Sequence, residues 1–185
     1  MAPRSPDQTG TVRTLVLGGI RSGKSRWAEM AIDTDGAVRY VATGAVPQGD
    51  PSWTTRVAAH RERRPQSWDT VETVDVAAQL RAAPHTATLV DDLGGWLTGV
   101  LDRRGWDDGS VSDEIDELVS AVEEFSAPLV LVSPEVGLTV VPATASGRRF
   151  ADELGALNQQ LAQRCERVVL VVAGLPVWVK PTEAS

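Results

Sequence analysis

The residues with the strongest chemical pattern form a short glycine-rich stretch near the start of the chain. They fit the phosphate-binding pattern G-x-x-x-x-G-K-[ST] at every required position, as Gly18-Gly19-Ile20-Arg21-Ser22-Gly23-Lys24-Ser25. Glycines in such a loop allow a tight turn that brings backbone N–H groups close to phosphate oxygens. Lys24 is expected to reach the β- and γ-phosphates, and the Ser25 hydroxyl to hold Mg²⁺. The alternative is a glycine-rich turn before an unrelated lysine, but the pattern favours nucleotide phosphate binding.

Two aspartates end an apolar segment at residues 87–92. An apolar strand ending in Asp downstream of a P-loop is the Walker B arrangement, in which the carboxylate belongs to the Mg²⁺ shell. Asp91 directly follows the apolar residues and is therefore the predicted metal-binding carboxylate. Asp92 is predicted to be the N-cap of the following helix.

Positive charge is concentrated in a predicted helix at residues 53–64 of an otherwise acidic chain. Arg56, His60 and either Arg63 or Arg64 are three to four residues apart, so several of them share one helical face. A histidine among arginines has a lowered pKa and stays neutral near neutral pH, which suits a nucleophile or base that faces an anionic substrate. The alternative is a solvated basic face on a surface helix.

One further carboxylate follows a buried strand predicted at residues 128–133. Glu135 lies just past the carboxyl end of this strand, where α/β folds bind ligands. It is therefore a candidate site residue, and the alternative is an ordinary acidic loop residue.

The elements that must position these residues alternate along the chain. Apolar segments that predict strands are separated by helical patterns, which favours an α/β fold of the P-loop NTPase (RecA-like) type, with a mostly parallel sheet and helices on both faces. Residues 1–10 are predicted to form a flexible tail. Residues 11–185 are predicted to form a single P-loop nucleotide-binding catalytic domain. Ser112 or Asp113 is predicted to cap an acidic helix. Residues 138–141 are predicted to form a brief strand, and residues 174–180 an edge hairpin.

Composition narrows the range of functions. The 185 residues include 18 basic and 25 acidic side chains, a net charge of −7, and no basic run that indicates a nucleic-acid partner. No apolar segment is long enough to span a membrane, and residues 1–10 lack the apolar core of a signal peptide, so a cytoplasmic protein is expected. The single cysteine, Cys165, is predicted to be a buried apolar side chain, and His85 to be exposed.

Several blocks together resemble a known enzyme family. They are residues 17–26, Tyr40-Val41-Ala42-Thr43, Arg56-x-x-x-His60-x-x-x-Arg64-Pro65 with Trp68 and Glu72, residues 133–137, residues 150–159, Ala173-Gly174-Leu175-Pro176 and Lys180. In this order they resemble the bifunctional adenosylcobinamide kinase/adenosylcobinamide-phosphate guanylyltransferases of cobalamin biosynthesis, the CobU family. The resemblance extends from about residue 13 to residue 180.

The resemblance implies two reactions and a set of site residues. A nucleoside triphosphate, ATP or GTP, phosphorylates adenosylcobinamide, and GMP from GTP is then transferred to adenosylcobinamide phosphate through a guanylylated histidine, which aligns with His60. Lys24 is then the second catalytic residue, and the nucleotide-binding set contains the P-loop with Arg56, Arg64, Glu72, Asp91 and Glu135. Ser25 and Asp91 are the expected Mg²⁺ ligands, and a homotrimer is expected.

The chain departs from the family pattern at a few positions. Pro134 replaces the usual Asn before Glu-Val-Gly, Ala143 replaces a usual Glu, and Gly94 and Gly99 stand where the family has Thr and Asn. Two alternatives remain open at this point: another small-molecule P-loop kinase in which His60 belongs to a basic lid, and a nucleotide-binding regulatory protein with weak turnover.

Overall fold

The computed structural model describes residues 12–32, 36–44, 65, 67–107, 109–138 and 140–181. Within these residues, seven strands form one sheet in the order β3-β2-β4-β5-β1-β6-β7. The strands are β1 Arg13–Gly18, β2 Val38–Ala42, β3 Asp69–Glu72, β4 Ala87–Asp91, β5 Leu129–Pro134, β6 Arg167–Val172 and β7 Leu175–Lys180. The helices are α1 Lys24–Ala31, α2 Val76–Ala82, α3 Leu93–Arg104, α4 Ser112–Glu124 and α5 Ala145–Arg164.

The sheet is parallel from β3 to β6, and β7 pairs antiparallel with β6. Parallel strands need crossover connections, and helices supply them at every crossover except that from β2 to β3, most of which lies outside the described residues. The carboxyl ends of the parallel strands consequently lie along one edge of the sheet, where loops and ligand sites of such folds are found. The P-loop follows β1, Asp91 ends β4, and Glu135 directly follows β5, so the topology brings three predicted site segments to this edge.

The central strands of the sheet are buried on both faces, which explains why they are apolar without alternation, whereas the edge strands β3 and β7 are mostly exposed. Leu15, Val90 and Leu131 pack on one face with residues of α2, α3, α4 and α5. On the other face, Val16 and Val132 pack with Ala28 of α1. The predicted α/β class with helices on both faces of a mostly parallel sheet is confirmed.

At the amino ends of the parallel strands, opposite the P-loop, Arg13 connects β1, the start of β6 and the end of α4. Its backbone N–H donates to Glu166 Oε2 at 2.6 Å, and its Nη2 donates to Glu166 Oε1 at 2.7 Å, which joins β1 to the start of β6. Its Nη1 also donates to the carbonyl oxygens of Val122 and Glu123 in the last turn of α4. A cation at this position complements the helix dipole as well as the orphan carbonyls.

Several local expectations can be compared with these elements. The β6–β7 hairpin confirms the predicted edge hairpin, and His85 is exposed as expected. Cys165 is buried, and burial together with the charge of Glu166 raises the pKa of its thiol to about 12, which fits an inert filler. No helix in the described ranges combines the length and apolar character that a membrane span requires.

Two local expectations were wrong. The N-cap of α4 is Val111, because Ser112 already lies in the helix and its N–H faces the Ser110 hydroxyl. Within residues 138–141, the described Leu138, Val140 and Val141 form no strand and are exposed. The predicted tail at residues 1–10 and the predicted basic helix at residues 53–64 lie outside the described residues.

The Arg13–Glu166 contact predicts pH-dependent stability. Burial acts to raise the pKa of Glu166, but hydrogen bonds and charge from Arg13 outweigh it and leave the pKa below its usual value of 4.5. A carboxyl whose folded-state pKa is lowered stabilises the fold above its unfolded-state pKa, and this contribution is lost as pH falls through the folded-state pKa.

We therefore expect Glu166→Gln to lower the free energy of unfolding by about 1 kcal/mol at neutral pH, since the pair is partly exposed. The difference from the parent should shrink as pH falls below the ordinary carboxyl pKa. Urea unfolding of both proteins across this pH range measures it, with exposed Asp116→Asn as the control. A difference that stays constant with pH would contradict the assignment.

Candidate nucleotide-binding and phosphoryl-transfer site

The P-loop is held on both sides by backbone hydrogen bonds. The Gly18 carbonyl at the end of β1 accepts from the N–H of Glu135 at 3.0 Å, and the Ser22 carbonyl accepts from the N–H of Gly174 at 2.7 Å. Glu135 follows β5 and Gly174 lies in the β6–β7 turn, so the loop is anchored to both strands that flank β1. Because peptide groups of the loop are used in this way, its conformation is fixed by the sheet before any ligand binds.

The path of the loop depends on two residues with positive φ, Arg21 at 58° and Gly23 at 91°. Gly23 also lies so close to the β6–β7 turn that a Cβ there would be 3.1 Å from the Cα of Gly174. Both its conformation and its close contact therefore require glycine at this position. Gly23 is the N-cap of α1 and has no side chain to cap it, and the N–H of Lys24 faces the Ser22 hydroxyl at a long 3.3 Å. The N–H groups of this first turn lie at the positive end of the helix dipole, where phosphate oxygens bind.

The Walker-type residues meet across the sheet edge. Ser25 Oγ in the first turn of α1 donates to Asp91 Oδ1 at 3.1 Å. The hydroxyl of Tyr40, a residue of β2 that is only 1% exposed, donates to Asp91 Oδ2 at 2.6 Å. Both carboxylate oxygens are thereby oriented, one toward the P-loop helix and one toward the sheet.

Asp92 has the structural role predicted for it. Its Oδ1 accepts from the N–H of Gly95 at 2.8 Å, which caps α3. Burial raises the pKa of Asp92, and the charge of the neighbouring Asp91 raises it further. Backbone hydrogen bonds from Gly95 and Gly94 act in the opposite direction but do not outweigh these two effects. The Thr43 hydroxyl donates to the Asp92 carbonyl, and this contact joins the end of β2 to the start of α3.

The other predicted site residues lie at different distances from the P-loop. Glu135 is half-buried beside the P-loop, and its Oε1 accepts from the N–H of Gly137 at 2.6 Å. Glu72 ends β3 at the same edge, but the sheet order places it four strands from β1, roughly 19 Å away. Ile20 is 95% exposed at the tip of the P-loop. Arg56, His60 and Arg64 lie outside the described residues.

The donor set at this edge matches the preferences of Mg²⁺. This ion prefers oxygen ligands, keeps several waters and takes only one or two protein groups beside phosphate oxygens. Ser25 Oγ and Asp91 Oδ1, already within hydrogen-bond distance, are such a pair. Among the described residues there is no group of three or more His, Cys, Asp or Glu side chains suited to a metal held by protein alone.

A profile of the family "Cobinamide kinase / cobinamide phosphate guanyltransferase" matches residues 14–179. The chain belongs to this family. It is 43% identical over 173 residues to the bifunctional adenosylcobalamin biosynthesis protein CobP of Pseudomonas aeruginosa, covering 91% of this chain and 98% of that protein. It is 36% identical over 180 residues to the bifunctional adenosylcobalamin biosynthesis protein CobU of Escherichia coli, covering 90% of this chain and 98% of that protein.

Membership of the cobinamide kinase/guanyltransferase family confirms the predicted enzyme class, a kinase and nucleotidyltransferase of cobalamin biosynthesis. Solved structures confirm the fold type. The P4 protein of bacteriophage phi6 in complex with ADP is similar at a TM-score of 0.50 and 16% identity, covering 95% of this chain and 56% of that chain. An ATPase of the type III secretion system is similar at a TM-score of 0.53 and 10% identity. This match covers 90% of this chain and 56% of that chain. At these identities the likeness concerns the fold alone.

Two departures from the family pattern touch each other. A Cβ on Gly94 would lie 2.8 Å from Cγ of Pro134, so the proline ring occupies the space that a side chain at position 94 would need. The two positions at which the family resemblance leads us to expect Thr and Asn are thus in contact with each other in this chain.

Some residues of the site were missed by sequence reasoning. Tyr40 and Gly174 were noted only as parts of the family resemblance, yet Tyr40 orients Asp91 and Gly174 anchors the P-loop. A lone tyrosine in an aliphatic strand was the available signal for Tyr40, because a buried hydroxyl needs a partner. Nothing local in the sequence indicates the contact of Gly174, which depends on β6 lying beside β1.

The requirement for glycine at position 23 gives a testable prediction. Gly23→Ala should lower ATP and GTP affinity at least about tenfold, because an alanine with positive φ costs about 1–2 kcal/mol and its methyl group would push the loop from the β6–β7 turn. Equilibrium titration with each nucleotide measures this. Gly155→Ala in α5 is the matched control, since a Cβ there meets nothing within 4 Å. Unchanged affinity in Gly23→Ala would contradict the proposed loop geometry.

Proposed function

We propose that this enzyme phosphorylates adenosylcobinamide with ATP or GTP and then transfers GMP from GTP to adenosylcobinamide phosphate through a guanylylated His60. The observation that carries the proposal is the contact of Ser25 with Asp91 beneath the P-loop. This arrangement supports binding of a nucleoside triphosphate with its phosphates at the carboxyl edge of the sheet. Family membership supports the corrinoid substrates.

In the kinase step, the hydroxyl oxygen of the aminopropanol group of adenosylcobinamide attacks the γ-phosphorus. The bond between this phosphorus and the oxygen bridging to the β-phosphate breaks, and a nucleoside diphosphate leaves. The P-loop N–H groups and Lys24 stabilise the charge that builds on the phosphate oxygens. Such preorganised donors cost no rearrangement during the reaction, and the anchoring of Gly18 and Ser22 supplies that preorganisation.

In the transfer step, a neutral imidazole nitrogen of His60 attacks the α-phosphorus of GTP, and pyrophosphate leaves. A phosphate oxygen of adenosylcobinamide phosphate then attacks the same phosphorus, which releases His60 and forms adenosylcobinamide-GDP. Arg56 and Arg64, four residues to either side in sequence, would neutralise charge near the guanylyl group. Glu72, which ends β3 at the same edge, is proposed to bind part of the nucleotide away from the P-loop.

A divalent cation fits this scheme. Ser25 and Asp91 would hold Mg²⁺, and Tyr40 would keep the Asp91 carboxylate in the orientation that this requires. When bound, Mg²⁺ neutralises charge on the phosphate oxygens of the leaving group. We also propose a homo-oligomeric, trimeric assembly, on the strength of the family resemblance.

The test is covalent labelling with GTP that carries a radioactive α-phosphate. The parent should acquire protein-bound label that is stable to base and labile to acid, as a phosphoramidate is, and His60→Ala should acquire none. His85→Ala is the matched control, because the exposed His85 precedes β4 and lies at the amino edge of the sheet, opposite the P-loop.

The outcomes separate the proposal from its alternatives. Equal label in His60→Ala and the parent would place the nucleophile elsewhere. Absence of label in a parent that binds GTP would contradict the histidine mechanism, and turnover of adenosylcobinamide under those conditions would favour a plain P-loop kinase. Binding without labelling or turnover would favour a regulatory nucleotide-binding protein.

A further inference from the structure

The position of β5 in the sheet points to a further catalytic residue. Strand β5 lies between β1, which leads into the P-loop, and β4, which ends in Asp91. Neighbouring strands are about 4.8 Å apart, so the residue after β5 is one strand spacing from each of these two segments. Glu135 holds this place, beside the position where the P-loop and Asp91 would together hold the γ-phosphate.

The backbone at this place is fixed by both polar groups of one peptide unit. Asn158 Nδ2, on α5, donates to the Pro134 carbonyl at 3.1 Å. The N–H of Glu135 donates to the Gly18 carbonyl at 3.0 Å. Asn158 is only 7% exposed, so the contact is made within the packed interface of α5 and the sheet. The Cα of Glu135 is therefore held against the first residue of the P-loop pattern.

The side chain of Glu135 is oriented while one of its oxygens stays available. Its Oε1 accepts from the N–H of Gly137 at 2.6 Å, and no donor in the described ranges contacts Oε2. Glu135 as a whole residue is half-buried. It is also the only charged side chain among residues 134–138, where Pro134, Val136, Gly137 and Leu138 offer no acid or base.

The other carboxylates at this corner already have partners. Asp91 accepts from Ser25 and Tyr40 through its two oxygens, and Asp92 caps α3 through the N–H of Gly95. Glu135 lies between the P-loop and Asp91, and its Oε2 has no donor within the described ranges, so this oxygen is open to a substrate hydroxyl.

We propose that Glu135 is the general base of the kinase step, an inference that rests on the proposed function. Its Oε2 accepts the hydrogen bond of the attacking hydroxyl and takes its proton as the bond from that oxygen to the γ-phosphorus forms. The bond from the γ-phosphorus to the bridging oxygen breaks, the nucleoside diphosphate leaves, and Glu135 returns the proton to solvent. The later GMP transfer uses a phosphate oxygen, which carries no proton to remove, and so does not require this base.

The experiment compares two activities of the same variants. Glu135→Gln keeps an oxygen that can accept from Gly137 N–H but cannot take a proton. Its rate of adenosylcobinamide phosphorylation should fall by about a hundredfold, the lower end of what a general base contributes. With adenosylcobinamide phosphate and GTP supplied, its rate of GMP transfer should fall far less, so the ratio of the two rates should fall at least about tenfold. Glu153→Gln, a half-buried glutamate of α5, is the matched control and should preserve the ratio.

A pH profile separates proton transfer from a merely structural role. In the parent, the kinase rate should fall at low pH as the base becomes protonated, and this acidic limb should be absent in Glu135→Gln. Glu135→Asp, which keeps a carboxylate, should have a higher kinase rate than Glu135→Gln and should again show the acidic limb of the pH profile. A kinase rate in Glu135→Gln equal to that of Glu153→Gln would overturn the role of Glu135 and leave the proposed function standing. A parent that labels at His60 but never phosphorylates adenosylcobinamide would overturn the kinase half of the proposed function and this inference with it.

Discussion

The P-loop must present unpaired N–H groups to phosphate while its own backbone stays fixed, and this constraint explains much of the structure. Two hydrogen bonds, from the N–H of Glu135 to Gly18 and from the N–H of Gly174 to Ser22, hold the loop from either side. Both donors follow strands that pair with β1. The apolar strands and the helices that bury them thus have a direct consequence for chemistry, because they determine where these two donors lie.

The same sheet order separates the reacting groups along one edge. Phosphate-binding groups gather at β1 and α1, the Asp91 carboxylate at β4, and Glu135 at β5 between them. In our account, one bound nucleoside triphosphate can therefore be attacked at either of two phosphorus atoms. A hydroxyl guided by Glu135 would reach the γ-phosphorus, and His60 would reach the α-phosphorus. The chain contains a single G-x-x-x-x-G-K-[ST] match, which is consistent with one phosphate-binding loop for both donors.

Sequence reasoning succeeded where local pattern determines structure. Buried strands, the cap at Asp92 and the β6–β7 hairpin were predictable, because each depends on residues close in sequence. The contacts of Tyr40 with Asp91 and of Asn158 with Pro134 were not, since each joins residues more than 20 positions apart whose proximity depends on strand order. At α4 a local rule failed because Ser110 provided an alternative partner for Ser112.

Equilibrium competition between nucleotides tests the central claim, that one P-loop serves both reactions, most directly. Calorimetric titration with a non-hydrolysable GTP analogue, repeated in the presence of saturating non-hydrolysable ATP analogue, gives the stoichiometry and the apparent affinity. Our account predicts one nucleotide per chain and a GTP-analogue affinity that falls in proportion to the ATP analogue present. Two nucleotides per chain, or a GTP-analogue affinity that the ATP analogue leaves unchanged, would contradict it.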